Sequence, residues 1–341
     1  MSFLPDLDVD FKEIHDVIYQ TIQGRVLMSA LELKVFDYLE EPATVGQVAE
    51  AIKVPEFRCR IFLDTLAASG FVTKKQDTYT NTRAGALYLA SQGEASLGEL
   101  LLGSWRMMLD PLNSLTQDLK QGFEEDTEHE HIGSEEVWTK MAHANAQYAR
   151  AGLAQLAVEQ MSALPSFNSM RKMLDMGGGP GLVALALAEA NPDLKAVVLD
   201  QPAVVKVAQE YIDRYGFSER VSVLGADYVN DDIGESYDLV WASATFNFFR
   251  SELPDIFKKI HQSLKPGGVF ACFQDGLTHQ GTQPKEMLFS AFTAHLRDEM
   301  TAFHQGEIAQ TMLDAGFNKV RSRTLETAAG PMDLDVAFKL S

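Results

Sequence analysis

A glycine-rich segment, LDMGGGPG, follows a short apolar run of strand length. Gly177, Gly179 and Gly181 give the pattern G-x-G-x-G, and Leu182 breaks the G-x-G-x-x-G pattern of dinucleotide-binding enzymes. Glycines allow the backbone to turn tightly and to approach a ligand closely. The helix predicted to follow would offer its N-terminus to a negatively charged group such as a carboxylate.

Acidic residues end the next two predicted strands. Asp200 ends KAVVLD, and its carboxylate can accept both hydrogen bonds of a ribose diol. Asp227 ends the following strand in LGADY, where it can accept a hydrogen bond from an adenine amino group while Tyr228 packs against the ring. One glycine loop is a weak signal, but the loop and both acids together predict a nucleoside-containing cofactor. The alternatives are a nicotinamide-type Rossmann domain and a glycine turn without a ligand.

The segment TFNFF, residues 245–249, follows a further predicted strand, YDLVWASA, and precedes a predicted helix and an LKPGG turn. The carboxyl end of such a strand is where a residue that takes part in chemistry is expected. The candidate here is Asn247, whose amide does not take up a proton near neutral pH. If the protein is an enzyme that removes a proton from its substrate, the base remains to be found.

The elements that position these residues alternate between short strands and helices from about residue 170 onward. This alternation predicts an α/β fold, a parallel sheet with helices on both faces, in which ligands bind outside the carboxyl ends of the strands. Residues 12–115 read instead as helix, turn, helix and hairpin, which is the order of a winged helix. Thr44 is the predicted N-cap of one of these helices. The predicted strands are KMLDM, KAVVLD, VSVLGAD, YDLVWAS and VFACFQD.

These motifs resemble class I S-adenosylmethionine-dependent methyltransferases, and in particular the small-molecule O-methyltransferase family of caffeate, acetylserotonin and polyketide O-methyltransferases. LDMGGGPG, VVLDQPAVV, GADY, LKPGG and TMLDAGF stand where that family has its counterparts, and ALELKVFDYL begins the part that resembles its N-terminal dimerisation domain. The resemblance implies a winged-helix dimerisation domain over 1–115 and a helical linker over 116–165 that contributes to the acceptor pocket. It further implies a Rossmann-like, mostly parallel methyltransferase domain over 166–341.

The resemblance also assigns a cofactor set for S-adenosylmethionine. Asp175 and the glycine loop would hold its amino-acid part, Asp200 its ribose, and Asp227 with Tyr228 its adenine. The family's lysine near the cofactor falls on Ser243 here. The complete predicted set is Asp175, Gly177, Gly178, Gly179, Gly181, Asp200, Gln201, Asp227, Tyr228 and Ser243.

The family's catalytic histidine, in a HDW motif, falls on Asn247, and the acid that orients it falls near Gln274 or Asp275. Asp275 is then expected to lack its partner. Three hypotheses follow, in decreasing order of preference. The first is that another residue acts as the base. The second is that the acceptor arrives already ionised, or with an activated carbon, so that positioning alone suffices. The third is that the cofactor is bound without reacting, as in a relative that acts in anthracycline hydroxylation and decarboxylation.

Two histidines are candidates for a substitute base, because imidazole titrates near neutrality. His143 lies in WTKMAHANAQYARAG and His295 in LFSAFTAHLRDEM, on helices that line the acceptor pocket in the family. The alternative is that each is a surface histidine or an interior histidine with hydrogen-bond partners. Asn247 itself can orient an acceptor or simply pack.

Methionine and aromatic side chains adapt to flat apolar ligands, although most are core residues. The predicted pocket walls are Trp105, Met107, Met108, Trp138, Met141, Met287, Phe289 and Phe292.

Composition excludes several classes of function. The net charge is −19, from 29 basic and 48 acidic residues, which argues against partners such as nucleic acid or an anionic membrane. The two cysteines, Cys59 and Cys272, cannot provide a zinc spacing, and EHEH, with His129 and His131, reads as a solvated loop, so no metal is predicted. The N-terminus lacks the apolar core of a signal peptide, and the expected location is cytoplasmic.

The sequence therefore predicts a homodimeric S-adenosylmethionine-dependent methyltransferase. The predicted acceptor is an aromatic or polyketide-like small molecule, methylated at oxygen or at carbon. Two alternatives remain open: a hydroxylase or decarboxylase relative that retains the cofactor, and a binding protein whose catalytic site has decayed.

Overall fold

The computed structural model describes residue 4 and residues 7–122, 135–297 and 301–340. The chain divides into two compact units, Met1–Arg106 and Met107–Ser341, and the division falls within a helix, Gly98–Leu109. His129 and His131 lie outside the described residues. Within the described residues, no helix combines the length and the apolar character needed to cross a membrane.

The first unit contains the predicted order of helices and hairpin. Thr44 caps its second helix through a capping box, in which its hydroxyl accepts from the Gln47 N–H and the Gln47 side chain accepts from the Thr44 N–H. The short strands pair antiparallel in the order β1-β3-β2 around a core that includes Phe36 and Leu63. The elements are α1 (Lys12–Glu32), β1 (Ala43–Thr44), α2 (Val45–Ala51), α3 (Glu56–Ala68), β2 (Val72–Lys75), β3 (Thr78–Asn81) and the start of α4 (Gly98–Leu109).

The second unit is built around one seven-stranded sheet. Its order is β6-β5-β4-β7-β8-β10-β9, and every neighbouring pair is parallel except those that β10 makes with β8 and β9. The elements are α5 (Leu115–Gln121), α6 (Glu135–Tyr148), α7 (Ala154–Ser162), β4 (Lys172–Met176), α8 (Leu182–Ala190), β5 (Lys195–Asp200), α9 (Val204–Tyr215), β6 (Val221–Gly225), β7 (Tyr237–Ser243), α10 (Leu253–Ser263), β8 (Leu264–Gln274), α11 (Lys285–Leu296), α12 (Glu307–Asp314), β9 (Lys319–Thr327) and β10 (Gly330–Phe338).

Both faces of this sheet are covered, which is why its central strands are apolar almost throughout. Successive residues of β7 enter opposite cores: Trp241 packs with α7 and α8, while Val240 packs with α10 and α12. The chain leaves β4 toward β5 on one side and reaches β7 on the other. The crevice outside the carboxyl ends of β4 and β7 is therefore the switch point at which such sheets bind ligands.

The LKPGG segment, predicted as a turn, lies within β8 instead. Tyr237 pairs with Leu264 and Leu239 pairs with Val269, so residues 265–268 bulge out opposite a single residue of β7. Pro266 has no N–H to give to the ladder, and Gly267 has a φ of +81°, so the local sequence does favour a break. Pairing on either side of the bulge nevertheless keeps the strand continuous.

Candidate active site

A cavity of about 490 Å³ opens at the carboxyl ends of the strands in the second unit. One side is formed by the loop after β4 and by the ends of β5 and β7, and the other by α6. This is the position expected for a ligand site in an open, mostly parallel sheet.

The glycine loop has a backbone that other residues do not adopt readily. Gly177 and Gly179 have φ values of +62° and +52°, in the left-handed region. A Cβ at Gly177 would lie 2.4 Å from the Thr245 Cγ2, and one at Gly178 would lie 2.8 Å from the Asp175 Cγ. The first two positions therefore need glycine for space, while Gly179 faces open space and needs it only for its backbone angle.

Gly181 differs from the other members of the predicted cofactor set. It caps α8 with a φ of +73°, but it is absent from the cavity lining. A Cβ there would lie 3.1 Å from Val198 and 3.4 Å from Ala208, so its small size allows α8 to pack on β5 and α9. The structure therefore places Gly181 in helix packing, whereas the sequence assigned it to the cofactor.

Asp175 is a buried carboxyl group at the floor of the cavity. Its Oδ2 accepts a hydrogen bond of 3.2 Å from the Ala184 N–H near the start of α8. Burial, with a smaller contribution from the nearby Asp200 charge, raises the pKa of Asp175 to about 7. Asp175 thus changes protonation state near neutral pH.

Asp200, at the end of β5, supports the glycine loop and borders the cavity. Its Oδ2 accepts from the Gly179 N–H at 2.9 Å, and its Oδ1 accepts from the Gln201 N–H at 2.8 Å. Burial raises the pKa of Asp200, although both hydrogen bonds oppose this shift. Each oxygen retains a free lone pair, so the carboxylate can still accept two hydrogen bonds from a diol. Gln201 lines the cavity beside it.

The turn after β6 is held by its own side chains. The Asp227 carboxylate accepts from the Val229 N–H at 2.9 Å and from the Asn230 side chain at 2.7 Å. The Tyr228 hydroxyl donates to the Thr245 carbonyl at 3.1 Å, and both Asp227 and Tyr228 line the cavity. The predicted pair is thus at the site, but much of the Asp227 hydrogen-bonding capacity is used locally.

Lys259 also fixes this turn, and sequence reasoning missed it. Its ammonium donates to the carbonyls of Tyr228, Val229 and Asp231 at 3.0, 2.9 and 2.8 Å. Because it lies on α10, far along the chain, no local pattern connects it to the turn.

The end of β7 contributes Ser243 and Thr245 to the lining. Ala244 has a φ of +50°, which allows the chain to bend sharply between them. The Thr245 hydroxyl lies 3.1 Å from the Met176 carbonyl and 3.2 Å from the Ser243 carbonyl. Thr245, which the sequence analysis did not select, therefore connects this segment to the strand before the glycine loop.

One face of α6 forms the opposite wall. Trp138, Met141, Asn145 and Tyr148 line the cavity at helical spacing. His143 lies between them in sequence but is exposed on another face of the helix and is absent from the lining. The structure therefore does not place His143 where it could accept a proton from a bound acceptor.

Aromatic and aliphatic side chains complete this end of the cavity. Phe248 lies edge-to-face with Trp138 at 6.2 Å between ring centroids, and Phe273 and Met332 also contribute. Phe249 lies instead against the Tyr228 ring, at 5.2 Å between ring centroids. Of the eight predicted wall residues, only Trp138 and Met141 line this cavity. Trp105 packs in the core of the first unit, Met107 and Phe289 are 62% and 69% exposed, and Met108, Met287 and Phe292 lie outside the lining.

His295, the second candidate base, lies on α11 and is also absent from the lining. Its Nε2 is buried and has no hydrogen-bond partner within the described residues. Within those residues, no group of three or more histidine, cysteine, aspartate or glutamate side chains is arranged to hold a metal ion.

Asn247 has a set of partners that the sequence did not predict. Its Nδ2 donates to the Asp275 Oδ1 at 3.0 Å and to the Thr301 carbonyl at 2.9 Å, and its Oδ1 accepts from Gln274 at 2.8 Å. The expectation that Asp275 lacks a partner is therefore wrong, because Asn247 and Gln274 both donate to its Oδ1. Neither Asn247 nor Asp275 lines the cavity.

Two family models match the chain. The model described as O-methyltransferase domain matches residues 117–318, and the model described as O-methyltransferase dimerisation domain matches residues 16–91.

Three curated relatives are similar to the chain. The N,N-dimethyltransferase OxyT of Streptomyces rimosus is 24% identical over 315 residues, which are 90% of this chain and 91% of OxyT. The tetracenomycin polyketide synthesis 8-O-methyl transferase TcmO of Streptomyces glaucescens is 23% identical, over 93% of each chain. An uncharacterized protein of Methanocaldococcus jannaschii, MJ0086, is 23% identical over 72% of this chain, and the match spans only 64% of its length.

A solved structure shares the fold. Human N-acetylserotonin methyltransferase, determined in complex with S-adenosylmethionine, superposes with a TM-score of 0.77 at 20% identity, and the match covers 100% of both chains.

Proposed function

Because the chain belongs to the O-methyltransferase family, we propose that it transfers a methyl group to an aromatic or polyketide-like small molecule, at oxygen or at carbon. Its cofactor is S-adenosylmethionine, and the dimerisation domain supports a homodimer. The observation that carries the acceptor proposal is the cavity itself, which joins a glycine loop and carboxylates at one end to an aromatic wall at the other.

The residues at the glycine-loop end fit the cofactor. Gly179 lines the cavity and faces open space, so a ligand can come close to the backbone of the loop there. Asp200 would accept hydrogen bonds from the ribose hydroxyls through its free lone pairs, and Asp227 and Tyr228 border the position that the adenine ring would take. When bound, the cofactor supplies an electrophilic methyl group on a positively charged sulfur.

The chain contributes mainly by holding the acceptor in place. Within the described residues, the titratable side chains that line the cavity are Asp175, Asp200, Asp227, Tyr148 and Tyr228. The three carboxyl groups belong to the glycine-loop end of the cavity, where they are assigned to the cofactor. Burial raises the pKa values of both tyrosines, so neither phenol loses its proton near neutrality to become a base. This favours the hypothesis in which the acceptor is ionised before transfer and orientation supplies the rate enhancement.

The flat, apolar character of the acceptor end supports an aromatic substrate. Trp138 and Phe248 meet edge-to-face, and Met141 and Met332 provide adaptable thioether surfaces. Asn145 and Tyr148 are the polar groups on the α6 face, where they can hydrogen-bond ring substituents. The printed names of OxyT and TcmO, an N,N-dimethyltransferase and a polyketide 8-O-methyl transferase, support a small-molecule acceptor.

A hydroxylase or decarboxylase that retains the cofactor is the second candidate. The observation that favours it is Asn247, an amide with no capacity to accept a proton near neutral pH, at the position of the family's base. A binding protein without turnover is the remaining alternative.

The test is incubation of the purified protein with S-adenosylmethionine and a panel of phenolic and polyketide-like acceptors, followed by mass spectrometry. The proposal expects release of S-adenosylhomocysteine together with an acceptor that has gained one methyl group. A product that has gained oxygen or lost carbon dioxide, with the cofactor unchanged, would identify the second candidate. Cofactor binding without any product from the panel would support the binding protein.

A further inference from the structure

The segment between β7 and α10 is fixed on the cofactor side by Thr245. The Thr245 hydroxyl lies within hydrogen-bonding distance of the Met176 carbonyl, and the Thr245 carbonyl accepts from the Tyr228 hydroxyl. A Cβ at Gly177 would collide with the same side chain. The start of the segment is therefore seated directly on the glycine loop.

On its other side, the segment is fixed by Asn247. Both N–H groups of the Asn247 amide are used, one by the Asp275 carboxylate and one by the Thr301 carbonyl. The Asn247 oxygen accepts from Gln274, which also donates to Asp275 through a short hydrogen bond. Asn247 therefore has no donor left for an acceptor molecule unless one of these bonds breaks.

The same network holds residues 301–304. The second oxygen of Asp275 accepts from the Phe303 N–H at 3.3 Å. Arg250 donates to the Ala302 carbonyl at 2.7 Å and to Glu307 at 2.6 Å, with its guanidinium 5.1 Å from the Phe303 ring centroid. Asn247 and Arg250 thus bind neighbouring residues of one backbone stretch.

Between these attachments lie the aromatic residues of the segment. Phe246 is fully buried in the core below the sheet, whereas Phe248 and Phe249 line the cavity. Phe248 is 56% exposed and meets Trp138 at its edge, so little besides the backbone of the segment fixes its position. The placement of this wall depends on how residues 245–249 are held.

We propose that Asn247 is a positioning residue, which holds residues 245–249 against residues 301–303 so that Phe248 meets Trp138 and forms the acceptor wall. It acts on the acceptor through this ring and takes no part in proton transfer. Asparagine suits this role because it offers two N–H donors to an anionic and a neutral oxygen while its own oxygen accepts from Gln274. This inference concerns the acceptor end of the proposed function and rests on it for its kinetic readout.

Two variants test the role, with one matched control. Asn247→Ala removes all three hydrogen bonds. Asn247→Asp keeps the shape but places a second carboxyl group against Asp275, beside the charges of Arg250 and Glu307. Asn113→Asp is the control, since Asn113 is an exposed amide that also donates to a carbonyl, that of Asp110, at 2.9 Å.

The first readout needs no acceptor. In Asn247→Ala, the rate of amide hydrogen exchange should rise by about tenfold or more in both 244–250 and 301–304. Either stretch can then open locally without breaking hydrogen bonds to the other, so opening costs less free energy. S-Adenosylhomocysteine affinity, measured by calorimetry, should stay within about threefold, since Asp200 and the glycine loop are unchanged. The control should show wild-type exchange and affinity.

The second readout is kinetic and uses an acceptor found in the panel. Asn247→Ala should lose roughly ten- to a hundredfold in kcat/KM for the acceptor through misplacement of the wall. Asn247→Asp should be the weaker variant near pH 8 and should recover toward wild type as the pH is lowered, because protonation removes the repulsion between two like-charged carboxyl groups. That recovery of kcat/KM would show that a side chain of the same shape can replace Asn247 once the repulsion between the two carboxylates is removed.

Unchanged exchange in 301–304, with unchanged acceptor kinetics in Asn247→Ala, would overturn the proposal. The proposal would also be overturned if turnover fell while the acceptor KM stayed the same and the pH dependence seen in the wild type disappeared. That result would identify residue 247 as a catalytic group. If Asn247→Ala does not fold, Asn247→Asp carries the same test through its pH dependence. A failed acceptor panel contradicts the proposed function and leaves the exchange result to decide the role of Asn247.

Discussion

The two sides of the cavity are built from different kinds of interaction. The glycine loop is shaped by backbone angles and by contacts with Asp175 and Asp200 from strands on either side of it in the sequence. The segment 245–249 is held by side-chain hydrogen bonds to residues 274–275 and 301, which lie far along the chain.

The difference indicates how each side tolerates change. A backbone-defined loop demands glycine at particular positions and serves a cofactor of constant shape. A segment held by a few side-chain bonds can keep its position after one of its residues changes, provided that a donor to Asp275 remains. The cofactor side should therefore show large effects of single changes, and the acceptor side smaller ones that concern the acceptor alone.

The largest expected effect concerns the stability of the cofactor side against pH. The pKa of Asp175 is raised from 3.8 to about 7 in the folded protein, so folding favours its protonated form. Its contribution is fully present below about pH 4 and is lost as the pH rises through about 7, up to about 4 kcal/mol. Urea unfolding of the cofactor-free protein between about pH 4 and about pH 8 should show this decline, which ends once the pH is above about 7.

Asp175→Asn is the control for that decline. The amide cannot ionise, so most of the pH dependence should disappear. The smaller contributions of Asp335, whose pKa is raised by burial to about 6, and of Asp200, whose pKa burial also raises, should remain. A decline of equal size in the variant would show that Asp175 is not its source.

The next effect distinguishes space from backbone angle in the glycine loop. Gly177→Ala combines a positive φ with a contact of 2.4 Å to Thr245, and should cost about 2–4 kcal/mol of stability. Gly179→Ala has a similar φ but open space, and should cost only about 1–2 kcal/mol. Denaturant unfolding of both variants measures the difference. Equal losses of unfolding free energy would show that the contact with Thr245 adds nothing to the cost of Gly177→Ala.

Asp200→Ala should have a somewhat smaller effect, on affinity. Removal of charge-assisted hydrogen bonds to the ribose is expected to cost about 1.5–3 kcal/mol in S-adenosylhomocysteine binding. Because Asp200 also accepts from the Gly179 N–H, part of this loss would come from the loop itself. Calorimetric titration would detect either part, and an unchanged affinity would remove Asp200 from the cofactor site.

The cofactor side was largely predictable from sequence because its determinants are local. A glycine loop directly after a strand, and an acid at the end of the next strand, must meet at one edge of a parallel sheet. The structure places Asp175, Gly177 and Asp200 around one cavity, as this reasoning requires. Gly181 lies outside the cavity lining and packs α8 on β5 and α9, a role that a pattern of glycines does not separate from ligand approach.

The acceptor side was less predictable because its contacts join distant residues. The bonds from Asn247 to Asp275 and Thr301 require the folded sheet, and so does the support that Lys259 gives to the turn after β6. His143 was a reasonable candidate by residue type, but its neighbours Met141 and Asn145 are the ones that face the cavity. Comparison of helical faces within WTKMAHANAQY would have been the one available signal.

The most direct test of the central claim is the pH profile of turnover in Asn247→His, compared with wild type. Asp275 lies close enough to orient an introduced imidazole, but neither position lines the cavity. We expect no gain in turnover above about tenfold and no new titration, because residue 247 positions the wall and accepts no proton. A gain of roughly a hundredfold, within the range of general-base assistance, with a new titration near pH 6.5 would contradict it.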